Sequence, residues 1–94
     1  MKISEFQNLM HKIYFDKDSR RGIDPTFIWL IEEIGELAEE TRKKNKSGCQ
    51  RELADCFAWL TSLANLLGVN LEDALKEYEK GCPKCGKIPC ECSH

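Results

Sequence analysis

The chain has no apolar run long enough to cross a bilayer. Its longest, Ala58 to Leu67, is interrupted by Thr61, Ser62 and Asn65, whereas a spanning helix needs about 20 mostly apolar residues. It has no excess of one charge: 16 Asp and Glu stand against 14 Lys and Arg. That balance argues against the basic footprint of a nucleic-acid binder and the polybasic cluster of a membrane anchor. The opening residues, MKISEFQNLMHK, lack the apolar core of a signal peptide. A cytoplasmic setting is therefore expected, and there six cysteines do not by default form a disulfide framework. Internal repeats, low-complexity segments and the glycine pattern of a phosphate loop are all missing. With 94 residues there is room for one domain and a modest core, so association or a covalent or metal staple is expected.

What is present is helical periodicity. Ile3, Phe6, Leu9, Met10, Ile13 and Tyr14 recur at helical spacing behind a possible capping box, Ser4 with Gln7. This predicts a first helix from about Ser4 to Asp16, followed by a polar loop, Asp16 to Pro25. Asp24 before Pro25 reads as an N-cap with proline at the first helical position. The second helix then runs to about Lys44, where cations collect at the negative helix end. Leu30, Ile34, Leu37 and Thr41 form one stripe of it. Trp29, Glu33, Glu36 and Glu40 form another. A third helix starts at Ser47 or Gly48 and stops at Gly68. One of its stripes is Leu53, Phe57, Leu60, Ala64 and Leu67; the neighbouring one is Glu52, Asp55, Trp59 and Leu63. Asn70 caps a short fourth helix, Leu71 to Lys80, which Gly81 ends. The expected architecture is all-α: about four helices in residues 1–81 and a Cys-rich tail in residues 82–94.

Chemistry concentrates on the second and third helices. Glu33 and Glu36 are three residues apart, as are Glu52 and Asp55. That spacing puts each pair on one helix face. Two facing pairs of like charge repel unless a cation sits between them. Neither acidic helix carries a histidine, so the donors are all oxygen. Such a set favours Mg²⁺, with Mn²⁺ possible, over iron or zinc. Mg²⁺ keeps waters and takes substrate phosphates as its remaining ligands, which points to phosphate chemistry. Trp29 and Trp59 each stand one turn from an acidic pair. They either stack on a flat base or belong to the core. Glu32 and Glu33 are candidates to take a proton from water, Glu32 reading equally as an ordinary surface residue. Glu39 and Glu40 read as solvated charges.

Together EEIGELAEE, ELAD and LTSLANLLGVNLEDAL resemble MazG-like nucleotide pyrophosphohydrolases of the all-α NTP pyrophosphatase superfamily. The resemblance covers roughly Trp29 to Leu75. It implies that Glu33, Glu36, Glu52 and Asp55 bind Mg²⁺. It also implies cleavage of a nucleoside triphosphate between the α and β phosphates, giving monophosphate and pyrophosphate, by a homodimer or dimer-based tetramer. The chain departs from the family after the last helix, where many members place a Lys and an Asn against phosphate or sugar. Here LKEYEKGCPKC offers Lys76 and Lys80 out of register, with Gly81 and Cys82 where the Asn is expected.

The tail carries Cys82-x-x-Cys85 and Cys90-x-Cys92. Four thiols in eleven residues suit tetrahedral Zn²⁺, and Gly86 permits the tight turn behind the second sulfur of a zinc-knuckle-like step. The shorter second spacing leaves His94 as a substitute ligand. The rivals are disulfides or a reactive tail. Cys49 and Cys56 read as plain thiols, Cys56 semi-buried. The competing function is a non-catalytic helical module whose zinc tail recruits a partner. A third is another metal-dependent phosphohydrolase, told apart by its product.

Overall fold

The computed structural model describes residues 1–93. Helix α1 spans Ile3–Arg21, α2 Ile23–Lys43, α3 Lys46–Leu67 and α4 Leu71–Leu75, with a 3₁₀ turn at Lys76–Tyr78. Among the described residues there is no strand, and no helix is long and apolar enough to cross a membrane. The pairing of α2 with α3 dominates the packing; α1 lies mainly against α3, and α4 touches α1.

The polar stretch after Tyr14 is helix rather than loop. Helix α1 continues to Arg21, and Gly22 alone, at φ 96°, separates it from α2. Two interactions carry the helix through this stretch. Asp18 is buried and ion-paired to Arg21 one turn on, at 2.8 Å, and Arg20 and Arg21 face the negative helix end. The turn between the helices is therefore one glycine long. Asp24 and Pro25 fall inside the first turn of α2, where a missing N–H costs nothing. The cap there is Gly22, whose carbonyl accepts from the Thr26 hydroxyl at 2.7 Å.

Ser4 and Gln7 do not form the capping box. The Glu5 carboxylate instead accepts from the Lys2 N–H at 2.7 Å. Gln7 is buried and ties α1 to the α3–α4 corner. Its amide donates to Asn65 Oδ1 at 3.0 Å and to the Val69 carbonyl at 2.7 Å, and its oxygen accepts from the Leu71 N–H at 2.9 Å. The later boundaries agree in part: α3 starts at Lys46, just before the expected Ser47 or Gly48, and the α-helix expected over Leu71 to Lys80 is α only to Leu75. Lys44 closes α2 in the left-handed region at φ 55°. Asn45 caps α3 and Gly68 ends it at φ 69°. Asn70 caps α4, which tightens into the 3₁₀ turn before Lys80.

The core is small. Met10, Leu30 and Ala64 are its buried apolar side chains, joined by Thr26, Thr61 and Ser62. Phe6 stacks on Phe57 with ring centroids 5.3 Å apart. Leu53, Phe57 and Leu60 stay 57%, 37% and 42% exposed. Phe27, Ile31 and Ile34 repeat the pattern on α2. The apolar stripes thus cover only part of themselves within one chain.

Candidate functional site

Helix pairing brings the acidic faces of α2 and α3 together. Carboxylate oxygens of Glu33, Glu36 and Glu52 all lie within 4.8 Å of one another. Glu33 Oε2 and Glu52 Oε2 are buried and have no hydrogen-bond partner. Unpartnered buried carboxylate oxygen is costly, and a hard cation would satisfy both oxygens at once. The strain shows in the titration of Glu33, pushed up to about 7 by burial, then by the adjoining Glu36 carboxyl and the charges of Asp55 and Glu52. Glu52 is raised as well, by desolvation and by Glu36. Beside the cluster, the half-buried Cys56 thiol is held protonated, by burial first and then by the four acids. The donor set therefore fits a divalent cation that prefers oxygen.

Asp55 stands outside this close triad. It acts on Glu33 and Glu52 through its charge, and it lines a neighbouring cavity of about 210 Å³ together with Trp59. Trp29 and Trp59 do meet, nearly parallel at 19° with centroids 6.0 Å apart. Of the other acids, Glu32 is exposed. Glu39 is solvated and pairs with Arg42 at 2.6 Å. Glu40 is not fully solvated: its Oε2 is buried without a partner. It packs so closely on Gly48 that a side chain there would strike its carboxylate. Lys76 is exposed and paired to Asp73 at 3.0 Å.

The sequence reading missed the end of α1 as part of the site. Tyr14, Lys17, Asp18 and Arg21 form the other wall of the Trp59 cavity, and the Arg21 guanidinium lies 4.7 Å from the centre of the Trp59 ring. The available signal was the Asp18–Arg21 spacing, which suits a helix.

The tail builds a second cluster. One sulfur each from Cys82, Cys85, Cys90 and Cys92 falls within 4.8 Å of the others, and all six cysteines of the chain are free thiols. The Gly86 N–H bonds the Cys82 carbonyl at 2.7 Å, and Gly86 turns at φ 74°. Gly81, at φ 118°, lies where a Cβ would meet Ile88 at 2.8 Å. Backbone N–H groups of Glu91 and Lys87 lower Cys85 to about 6, and those of Cys85 and Lys84 lower Cys82. Hydrogen bonds with Cys90, Cys82 and Cys85 push Cys92 up to about 11. Without a cation, the four sulfurs do not all carry negative charge together. His94 lies outside the described residues.

Residues 22–84 match the profile of the MazG nucleotide pyrophosphohydrolase domain. The chain belongs to this family. A search of curated proteins finds no match. The MazG match contains both acidic pairs and both tryptophans and ends inside the first Cys pair. Pyrophosphohydrolase activity on nucleotides is thus what membership suggests in general, and the oxygen cluster and the thiol cluster are both able to hold a metal.

Proposed function

We propose that this MazG-family chain hydrolyses nucleoside triphosphates, ribo or deoxy, to the monophosphate and pyrophosphate in a Mg²⁺-dependent reaction of the housecleaning type. The observation that carries the reading is the convergence of Glu33, Glu36 and Glu52, with two buried oxygens lacking partners. Glu33, Glu36 and Glu52 would hold the ion, and Asp55 would complete the set from the cavity side. Bound there, Mg²⁺ (or Mn²⁺) would supply neutralisation of the triphosphate and polarisation of the α phosphorus. The chain's own part is positioning. The α2–α3 pairing fixes the acids before substrate arrives, so little reorganisation is needed during reaction. Glu32 and Glu33 are the residues from which a proton acceptor for the attacking water is drawn. The stacked Trp29 and Trp59 lie beside the acids and would border the nucleoside.

Zn²⁺ is the metal proposed for the tail. Four thiolates held at 2.3 Å on a tetrahedron stand roughly 3.8 Å apart. Cys82 and Cys92 sulfurs are 3.8 Å apart, and those of Cys85 and Cys90 are 3.9 Å apart. Free thiols fit a reducing, cytoplasmic setting. A homodimer or dimer-based tetramer is proposed on the exposed Leu53–Phe57–Leu60 and Phe27–Ile31–Ile34 stripes, since a chain this small gains core by association.

The test is incubation of the purified protein with Mg²⁺ and a panel of NTPs and dNTPs, with product identification. Glu36→Ala with Glu52→Ala is the control. Monophosphate plus pyrophosphate, lost in the double variant, supports the reading. Orthophosphate as the product would make the chain a different phosphohydrolase. No turnover and no Mg²⁺ binding would leave a non-catalytic helical module with a metal-bound tail.

A further inference from the structure

The four tail sulfurs form two contacts. Cys82 Sγ lies 3.8 Å from Cys92 Sγ, and Cys85 Sγ lies 3.9 Å from Cys90 Sγ. The contacts share no sulfur, and each joins one cysteine of the first pair to one of the second. Four cysteines allow three connectivities. These contacts single out the nested one, with Cys85–Cys90 inside Cys82–Cys92. The backbone explains the arrangement. The Cys82 N–H donates to the Lys87 carbonyl at 3.2 Å, and the Gly86 N–H donates to the Cys82 carbonyl at 2.7 Å. Residues 82–87 are therefore a closed loop. Ile88 then packs against Gly81, which brings Cys90 and Cys92 back beside it.

Access and freedom to move complete the picture. Cys90 is exposed, and Cys82, Cys85 and Cys92 are half-buried, so a small polar oxidant reaches the sulfurs without opening a helix. A disulfide holds its sulfurs about 2.05 Å apart, so each contact must shorten by roughly 1.8 Å. No apolar packing resists that shift, since Ile88 is itself exposed. Tetrahedral zinc would hold the same sulfurs roughly 3.8 Å apart. Bound metal and disulfides therefore exclude each other. Cys49 and Cys56 lie on α3, outside the cluster.

We propose that the tail is a peroxide-sensitive thiol site, which closes as Cys85–Cys90 and Cys82–Cys92 and gives up its metal in closing. The proposal deepens the zinc reading and rests on it only for the ion released. The Cys90 thiolate attacks one peroxide oxygen: an S–O bond forms, the O–O bond breaks and hydroxide leaves. The Cys85 thiolate then attacks the Cys90 sulfur, forming the S–S bond and expelling a second hydroxide. Two electrons pass from the sulfurs to the peroxide. A second peroxide oxidises Cys82 and Cys92 in the same way. Four thiolates and two peroxides give two disulfides and four hydroxides. The zinc ion leaves because the thiolate, and not the disulfide sulfur, is its ligand.

The chain makes this pairing easy to read. Trypsin cuts after Lys80, Lys84 and Lys87, and a glutamate-specific protease cuts after Glu91. Each tail cysteine then falls on its own peptide. The full chain as purified is treated with hydrogen peroxide while a chromophoric chelator follows zinc. Free thiols are alkylated, and the double digest is read by mass spectrometry without reduction. The expected result is complete loss of zinc, two peroxides consumed per zinc, and alkylated Cys49 and Cys56. Cys82–Cys92 and Cys85–Cys90 should be the dominant linkages, and a thiol reductant with added zinc should restore the starting state. Dominance of Cys82–Cys85 with Cys90–Cys92, or of Cys82–Cys90 with Cys85–Cys92, would overturn the proposal. So would sulfinic acids in place of disulfides, or zinc that stays bound in peroxide. Nested disulfides in a chain that purifies without zinc would remove the zinc reading and keep the thiol site.

Discussion

The acidic cluster and the cysteine cluster are both sets of like-charged donors, and they are built in opposite ways. Glu33, Glu36 and Glu52 come from two long helices and meet only because α2 packs on α3. The four cysteines lie within eleven residues and meet through local turns at Gly81 and Gly86. The helical scaffold rests on the α2–α3 packing and holds its acids against their mutual repulsion. The tail has almost nothing to bury but Ile88, itself 81% exposed, so no apolar core of its own holds it. In one region the packing of long helices makes the site, and in the other a short run of turns does.

The sharpest way to break the comparison is to remove each donor set in turn. Glu36→Ala with Glu52→Ala should lower turnover by at least about a hundredfold, the scale for losing key electrostatic contacts in a site. It should leave zinc content and helical circular dichroism unchanged, since the tail makes its cluster alone. Cys85→Ser with Cys92→Ser should do the opposite. The zinc proposed for the tail should fall from one per chain to near zero, and limited proteolysis should cut at Lys84 and Lys87, while the helical signal persists. Loss of helix in this variant would mean that the two regions are not separate.

Next in size is the effect on the assembly proposed above. Leu53→Lys puts a charge on the exposed α3 stripe, which costs a monomer little and a buried interface a great deal. Sedimentation should show a shift to monomer. An unchanged sedimentation coefficient would remove that stripe from any interface.

The smallest effect is a pH dependence. Glu33 is raised from an ordinary 4.5 to about 7 in the folded chain, and Glu52 moves in the same direction. The folded state thus binds these protons more tightly than the unfolded state does. Between about 4.5 and 7 stability therefore falls as pH rises. The metal-free protein should show a lower Tm at pH 8 than at pH 5.5, and Mg²⁺ should recover much of the difference at pH 8. A metal-free Tm that rises over this range would show that the acids are not crowded.

Much of this was legible in the chain itself. Helix ends marked by Gly68 and Asn70 were readable because caps are local chemistry, whereas the start of α3 was placed at Ser47 or Gly48 and the cap is Asn45. The end of α1 was not readable. Asp16 to Arg21 looks like a loop by polarity, yet Asp18 is buried and paired to Arg21, whose guanidinium lies over Trp59, and the stretch is helix and wall. Gln7 misled for a related reason. Its spacing from Ser4 suits a cap, yet three partners more than fifty residues away claim its side chain. The carboxylates were visible as a pattern, but the pattern treats all four alike. The packed helices separate Asp55 from the close triad and turn it toward the cavity.

The sequence by itself determined the helix-forming segments, the pairing of acids on single faces and the four-thiol cluster, because each depends on residues a few positions apart. Tertiary structure alone decided which acids share a site, that a one-glycine turn folds α1 back beside it, and that Asp18 stands buried with one oxygen unsatisfied. Those outcomes depend on how whole helices bury their faces against one another, and no local spacing encodes that.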